Sequence, residues 1–448
     1  MKALAVAASL LCGAAAAQEV DESALFSDTA MVKPEPSTSA KTDSVTKTQV
    51  RFGGSLEAVG QGSWKTGSVS PSSDGAARMV GTANLDVKLP SGQRALGVFE
   101  VAHEGASDTT SWALRELFLD ADIGGVVWFR AGKQVIQWGR GILWTPTDLV
   151  NVEGRTLVER PGAREGATGL KVQVPFGTGG SITAFAPLRH VDNSDSLALS
   201  LRGEMLVGPA EVALSTRFKQ DAPQVVGLDF STGLLGLDAE GGVLWLSGDP
   251  DPRAVLRDGA WHLEKDDTRR QVRASAGLGR AFTQGGVPDR LRIDVEGYWQ
   301  SEGYSSDVLT DATVRPFADT LWRPLDPRLV DGGRALGIPL PKGLATTRGD
   351  GLTFLGGNGL FHPNQFGPLY LGTMVSYAKF LIPDLTLTLQ ALGNVDDRSG
   401  VGTLGVTWES LYGFHVQPLV YAFWGDPRTE FVLDGRGFAL ELRTGLRF

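Results

Sequence analysis

The sequence predicts an all-β protein, a single transmembrane antiparallel up-and-down β-barrel of about 18 strands, with roughly 16 to 18 as the range. Apolar and polar residues alternate in segments of about ten residues that are separated by turns or polar loops. Glycine accounts for 58 of the 448 residues, close to twice its usual share, which fits turns and tight strand packing. Beyond the amino terminus no apolar run reaches the length of about 18 residues that a membrane helix needs. A membrane-spanning part would therefore have to be a closed barrel.

Residues 1–17 have the pattern of a secretory signal peptide. Met1 and Lys2 precede an apolar run, and the segment ends in alanines with a cleavage site near Ala17. The alternative is a hydrophobic amino-terminal helix of the fold, which fits the alanine repeat and the polar residues after it less well. Cys12, the only cysteine, lies in this segment, so the mature chain would hold neither a disulfide nor a thiolate metal site.

Residues 18–46 are rich in Ser, Thr, Asp, Glu and Lys, which predicts a disordered periplasmic tail. This tail is too short to form a globular plug, but it is long enough to bind a periplasmic or envelope-complex partner. The predicted barrel then comprises residues 47–448.

The predicted strands can be placed by their alternating pattern. Their centres lie near residues 54, 84, 98, 117, 131, 171, 183, 201, 214, 227, 240, 275, 295, 374, 389, 405, 418 and 442. An even number of strands places both termini on the periplasmic side. Pro418 lies within one of these segments and lacks a backbone N–H, so we expect that strand to be bulged, displaced or misassigned.

The last strand shows the alternation most clearly. One face is apolar and comprises Phe438, Leu440, Leu442, Leu446 and Phe448. The other face carries Glu441, Arg443 and Arg447. A soluble sandwich would show the same alternation, but its persistence over about 18 segments favours a barrel. The segment resembles the closing strand of bacterial outer-membrane β-barrels. That resemblance implies that the five apolar residues form a signal for the barrel-assembly machinery and that the protein lies in the outer membrane, in contact with its lipid.

A second distinctive region combines Leu114–Asp120, Arg130–Gly139 and Pro146–Asn151. It resembles a family of large proteobacterial outer-membrane porin-like barrels akin to the alginate-export porins, most closely over residues 112–170. The shared features are a Leu-Arg-Glu-aromatic strand, a Gly-Lys-Gln strand that leads to Trp-Gly, and the loop that follows. Val152 departs from the family pattern, which has proline at this place, so the resemblance does not define the course of the loop.

Several residues are candidates for a pore wall or a constriction. Arg130 and Gln134 share one face of a predicted strand and would lie beside Glu116 and Asp120, giving cross-strand charge pairs. Further candidates on predicted strands are Arg290, Arg292, Asp294, Glu296 and Arg443. The loop of residues 140–166 carries charges of both signs and adds Asp148, Asn151, Arg155, Arg160 and Arg164.

Each of two long connections between predicted strands can be interpreted in two ways. The loop of residues 140–166 suits an inward-folded constriction, where opposed charges act on a solute, or a solvated extracellular loop with scattered ion pairs. The proline-containing stretch of residues 303–366 suits a lid over the mouth or a flexible surface loop.

Composition excludes several function classes. The net charge of −9 is mild for this length and argues against nucleic acid as a partner. The five histidines lie far apart and lack metal-ligand spacing, and no phosphate-binding glycine loop occurs. We therefore predict no catalytic residues, no metal and no cofactor.

The leading interpretation is a channel for passive passage of a hydrophilic solute or for export of a polymer such as a polysaccharide. One alternative is a structural or docking barrel in an envelope-spanning export, adhesion or motility complex, with residues 18–46 binding the partner. The other is a barrel hydrolase, which requires a His–Asp or Ser–His pair at the outer rim.

Overall fold

A computed structural model describes ten ranges of the chain: residues 47–65, 72–150, 162–188, 197–220, 222–257, 260–305, 364–410, 412–426, 429–432 and 435–448. The predicted signal peptide and tail lie outside these ranges. Within them, no helix has the length and apolar character that crossing a membrane requires.

Eighteen antiparallel strands form one closed barrel. The first nine are β1 (Gln49–Lys65), β2 (Ser72–Lys88), β3 (Arg94–Glu104), β4 (Thr109–Ile123), β5 (Val127–Gln134), β6 (Ala167–Pro175), β7 (Gly180–Pro187), β8 (Ala198–Val207) and β9 (Ala210–Lys219). After β10 (Gln224–Leu234) and β11 (Leu237–Ser247), a separate hairpin consists of β12 (Arg253–Arg257) and β13 (Ala260–Glu264). The barrel continues with β14 (Arg270–Gln284), β15 (Val287–Gln300), β16 (Leu369–Tyr377), β17 (Leu385–Asn394), β18 (Ser399–Glu409), β19 (Phe414–Trp424) and β20 (Arg436–Arg447). The predicted fold class is confirmed, and each predicted strand centre lies within an observed strand.

The barrel closes where its first and last strands pair. Register between β1 and β20 runs from Ser55 opposite Arg447 to Trp64 opposite Phe438. At one end of this seam, Gly54 and Phe448 exchange two backbone hydrogen bonds of 2.8 and 3.0 Å. Near the other end, the rings of Trp64 and Phe438 stack at 4.6 Å. Because the ladder joins its own beginning, the sheet has no free edge.

The two ends of the barrel differ in their connections. One end, which we call the short-turn end, holds the start of β1, the end of β20 and tight turns such as Gly208-Pro209 and Gly285-Gly286. Gly285 and Gly286 both have positive φ, 59° and 74°, as a type I′ hairpin turn requires. The opposite end, the long-loop end, holds the connections from β5 to β6, from β11 to β14 and from β15 to β16.

Apolar side chains cover the outer face of the barrel. On β20, Leu442 is 52% exposed on the outside, while Ala439 on the opposite face of the strand is 1% exposed. The two stacked sheets of a soluble sandwich would bury the apolar faces against each other, so this arrangement excludes a sandwich. The outer face is suited to lipid.

Pro418 lies in β19 without a bulge, contrary to expectation. It pairs with Leu442 of β20, and the register with β18 is the same on both sides of it. The ladder to β18 is only interrupted between Gly405 and Trp408, where the missing proline N–H would have donated. The strand was therefore assigned to the correct position.

Candidate functional site

The connection from β5 to β6 folds into the barrel. We call residues 135–166 the inner loop, of which residues 135–150 and 162–166 are described. From β5 it reaches β15 and β16. Because β16 lies nine strands from β5 in either direction around the 18-strand barrel, the inner loop extends to the opposite wall.

The end of β5 turns the chain inward. Gly132 has a φ of 128°, and a Cβ there would overlap the backbone of Leu117 on β4, so only glycine fits. Gln134 is fully buried, and its amide group donates to the carbonyl oxygens of Arg130 and Gly169, both at 3.3 Å. These contacts fix the direction in which the inner loop leaves the wall.

The predicted cluster at β4 and β5 is partly assembled. Arg130 forms two hydrogen bonds with Asp120, of 2.6 and 2.8 Å, and its guanidinium lies 4.0 Å from the centre of the Phe118 ring. Glu116 makes a different contact, because its carboxylate accepts the backbone N–H of Val135 at 2.9 Å. One predicted charge pair is thus present, and the other carboxylate holds the start of the inner loop.

Glu296 on β15 binds the tip of the inner loop. Its carboxylate accepts the backbone N–H groups of Ile142, Leu143 and Trp144 at 2.9, 2.7 and 3.1 Å. Hydrogen bonds to a charged acceptor are stronger than neutral ones. A Cβ on Gly141 would overlap the carbonyl oxygen of Trp144 and lie 2.6 Å from Glu296 Oε1, so the chain approaches the carboxylate closely only because residue 141 is glycine.

Aromatic packing holds the same tip. The Trp144 ring stacks on Tyr298 of β15 with centroids 5.7 Å apart and lies 6.1 Å from the ring of Tyr370 on β16. Its indole N–H donates to the carbonyl oxygen of Asn364 at 3.3 Å. Leu392, Val401 and Phe431 complete this buried cluster.

Side chains on β8, β9 and β10 hold the middle of the inner loop. Arg140 pairs with Glu211 of β9, and the hydroxyl of Thr147 donates to Asp229 of β10. Asp229 also pairs with Arg202 of β8 at 2.6 Å, and both of these side chains are almost fully buried. The charge of Arg140 is therefore directed at the wall.

The returning part of the inner loop binds β3, β4 and β5. Ala163 N–H donates to Glu100 at 2.9 Å, and Glu165 pairs with Arg115 at 2.7 Å and with Lys133. Burial opposes the charge of Glu165, yet Lys133 and Arg115 together hold the pKa of its carboxyl below its ordinary value. The described parts of the inner loop are thus anchored at both ends and at the tip.

The remaining predicted residues lie in different surroundings. Arg292 pairs with Asp294 at 2.8 Å and with Asp238 at 2.9 Å, Arg443 pairs with Glu441, and Arg290 donates to the carbonyl oxygen of Lys379. Arg292, Asp294 and Arg443 lie on the inner face, whereas Arg290 lies at the short-turn end with its guanidinium 5.1 Å from the centre of the Tyr377 ring. None of these residues contacts the inner loop through those bonds. On the loop itself, Asp148 accepts the N–H of Val150, and Arg164 lies 3.4 Å from Gln137 Oε1. Asn151, Arg155 and Arg160 lie outside the described residues.

Trp144, Tyr298, Tyr370 and Asp229 were not predicted from the sequence. Tyr298 and Tyr370 lie opposite each other on adjacent strands, at positions that point into the barrel and usually carry polar side chains. Two aromatic residues at such positions are the sequence signal that would have indicated an apolar contact inside the barrel. No local sequence pattern distinguishes Asp229 from the other carboxylates that point into the barrel.

His103, on β3, lies near an aspartate in the turn that follows the strand. His103 Nδ1 lies 3.0 Å from Thr110 Oγ1, but its Nε2 is 3.8 Å from Asp108, which is 97% exposed. That distance exceeds the reach of a base and the group that orients it. Across the described part of the chain, no group of three or more metal-ligating side chains occurs.

No protein-family model and no curated protein matches the sequence. Solved structures do match. A BenF-like porin from Pseudomonas fluorescens Pf-5 is 10% identical, with a TM-score of 0.52 over 89% of this chain and 98% of that one. OccAB4 from Acinetobacter baumannii is 8% identical, with a TM-score of 0.52 over 90% and 99% of the respective chains. These likenesses show that the chain has a porin fold, and they do not test the predicted kinship with alginate-export porins.

Proposed function

We propose that the protein is a bacterial outer-membrane channel for passive passage of a small hydrophilic solute, and that the inner loop forms its constriction. The observation that carries this proposal is the anchoring of the inner loop to opposite walls inside a closed barrel. An apolar outer face and a charged inner face suit a barrel with lipid outside and water inside.

The position of the inner loop favours a small solute over a polymer. Trp144 docks on the wall opposite β5, so the loop occupies part of the cross-section that a polysaccharide would need. Among the described residues, several luminal charges form pairs, such as Arg130 with Asp120 and Arg292 with Asp294. Paired charges of both signs support passage of polar solutes without a strong preference for one sign of charge.

Reconstitution tests this proposal. The purified barrel is inserted into planar bilayers for single-channel recording and into liposomes for swelling assays with uncharged sugars of increasing size. We expect discrete conductance steps and a swelling rate that falls steeply with sugar size, while heat-unfolded protein gives neither. Folded protein that inserts but shows no conductance would overturn the proposal. If it also co-purified with a stoichiometric envelope protein that is lost on deletion of residues 18–46, a docking barrel would be the better interpretation.

A further inference from the structure

Glu430 is a buried carboxylate outside the strands, in the 3₁₀ turn Glu430–Val432 of the connection from β19 to β20. It is 1% exposed and accepts hydrogen bonds from three parts of the chain. Asn364 N–H donates at 2.7 Å, the Tyr370 hydroxyl at 2.7 Å and the Asn394 amide at 2.9 Å. Among the described residues, no lysine or arginine pairs with it.

The partners of Glu430 are also the residues that hold the tip of the inner loop. The carbonyl oxygen of Asn364 accepts the indole N–H of Trp144, and the Tyr370 ring packs against the same indole. Phe431, the next residue after Glu430, belongs to the buried cluster that contains Trp144. A continuous set of contacts therefore leads from the turn at the long-loop end to the loop tip.

We propose that Glu430 is a positioning residue for the inner loop and that its protonation state controls how firmly the tip is held. The ionised carboxylate lacks a cationic partner in a site that excludes water, so its charge opposes the packed arrangement. The protonated carboxyl is neutral. The hydroxyl oxygen of Tyr370 already accepts the N–H of Gly367 at 2.6 Å and has a second lone pair for the carboxyl proton, so the phenolic proton gives up Glu430 as its acceptor while the two N–H donors to Glu430 remain satisfied.

The surroundings of Glu430 define the pH range. Asp397, in the turn from β17 to β18, accepts the backbone N–H of Glu430 at 2.7 Å, and Tyr370 faces the carboxylate from β16. Burial raises the pKa of Glu430 to about 7, and the negative charge of Asp397 adds to this shift, while the three hydrogen bonds offset only part of it. When the site opens to water, the pKa falls toward its ordinary value of 4.5. The packed state therefore binds the proton more tightly, and the hold on the tip weakens as pH rises from about 4.5 through about 7.

A single introduced thiol can report on the loop tip, because the predicted mature chain has no cysteine. Leu143→Cys places the thiol where Leu143 packs against the Trp144 cluster. Its reaction rate with a water-soluble maleimide is measured in detergent-folded protein from pH 5.5 to 8.5, with and without the second substitution Glu430→Gln. Dividing the rate of the single variant by the rate of the double variant at each pH cancels the titration of the thiol itself. We expect this ratio to rise at least about tenfold between pH 5.5 and pH 8.5, because only the single variant retains a titrating carboxyl.

Asp397→Asn is the second arm of this experiment, again measured with and without Glu430→Gln. Removing the neighbouring charge lowers the pKa of Glu430 in the packed state, so the rise in the rate ratio should be smaller and should level off at a lower pH. Heat-modifiable gel mobility confirms that each variant is folded. A rate ratio that stays constant across the pH range, or that falls as pH rises, would overturn the inference. Because labelling requires no conduction, this result is independent of the channel function on which the inference rests.

Discussion

Arg202 and Asp229 form a buried ion pair on the wall that supports the inner loop. Their exposed fractions are 3% and 1%, and Asp229 also accepts the hydroxyl of Thr147. Regular alternation along β8 predicts that Arg202 lies on the inner face. It does not identify Asp229 as the partner, since that pairing depends on how three strands and a distant loop come together.

A test of this pair uses Arg202→Met, which leaves Asp229 charged and buried without its main cationic partner. The free energy of unfolding should fall by about 3–5 kcal/mol, as denaturant titration monitored by tryptophan fluorescence would show. Adding Asp229→Asn removes the uncompensated charge and keeps an acceptor for Thr147, so the double variant should recover most of the loss. If the double variant were as unstable as the single one, the unpaired charge of Asp229 would not be the cause of the lost stability.

At the scale of elements, regular strands were predictable and the path of the inner loop was not. Strand positions follow from period-two alternation, which is local in sequence. The hairpin of β12 and β13 was missed because each strand has only five residues. The inner loop is positioned by Glu296, more than 150 residues beyond Ile142 in sequence, and no local pattern encodes that contact.

The tip of the inner loop should be sensitive to Gly141→Ala. The added methyl group would collide with the carbonyl of Trp144 and the carboxylate of Glu296, an overpacking that costs about 1–3 kcal/mol. We expect trypsin to cleave after Arg140 about tenfold faster in this variant, because proteolysis follows the population of the open loop. Gly203→Ala is the matched control, since a Cβ there meets nothing within 4 Å. Equal cleavage in both variants would mean that Gly141 does not set the approach to Glu296.

Taken as a whole, the proposed channel has lipid outside the barrel and water inside. Glycine content, alternation and the apolar face of the last strand predicted this closed form, because lipid leaves no other arrangement for sheet edges. What the sequence could not define is how much of the lumen the inner loop occupies, since that depends on contacts between opposite walls.

Two neighbouring positions on β17 test whether lipid lies at the outer face of the barrel and water at the inner face. Leu389 is 49% exposed on the outer face, and Gln390 lies on the inner face. Leu389→Arg should lower the free energy of unfolding in lipid vesicles by about 2–4 kcal/mol, as expected for arginine near the bilayer midplane. Gln390→Arg should cost much less, because water reaches the inner face. Similar losses for both variants would argue against lipid at the outer face.

In the proposed channel, Glu296 holds the inner loop so that the loop narrows a water-filled pore. Glu296→Gln removes the charge and replaces one acceptor oxygen with a donor that faces backbone N–H groups, so the tip should detach. Glu441→Gln is the control, because Glu441 pairs with Arg443 away from the loop. The decisive measurement is single-channel conductance in planar bilayers with polyethylene glycols of graded size. We expect Glu296→Gln to conduct more and to admit larger polymers than the wild type and the control. Identical conductance and identical polymer exclusion in all three proteins would contradict it.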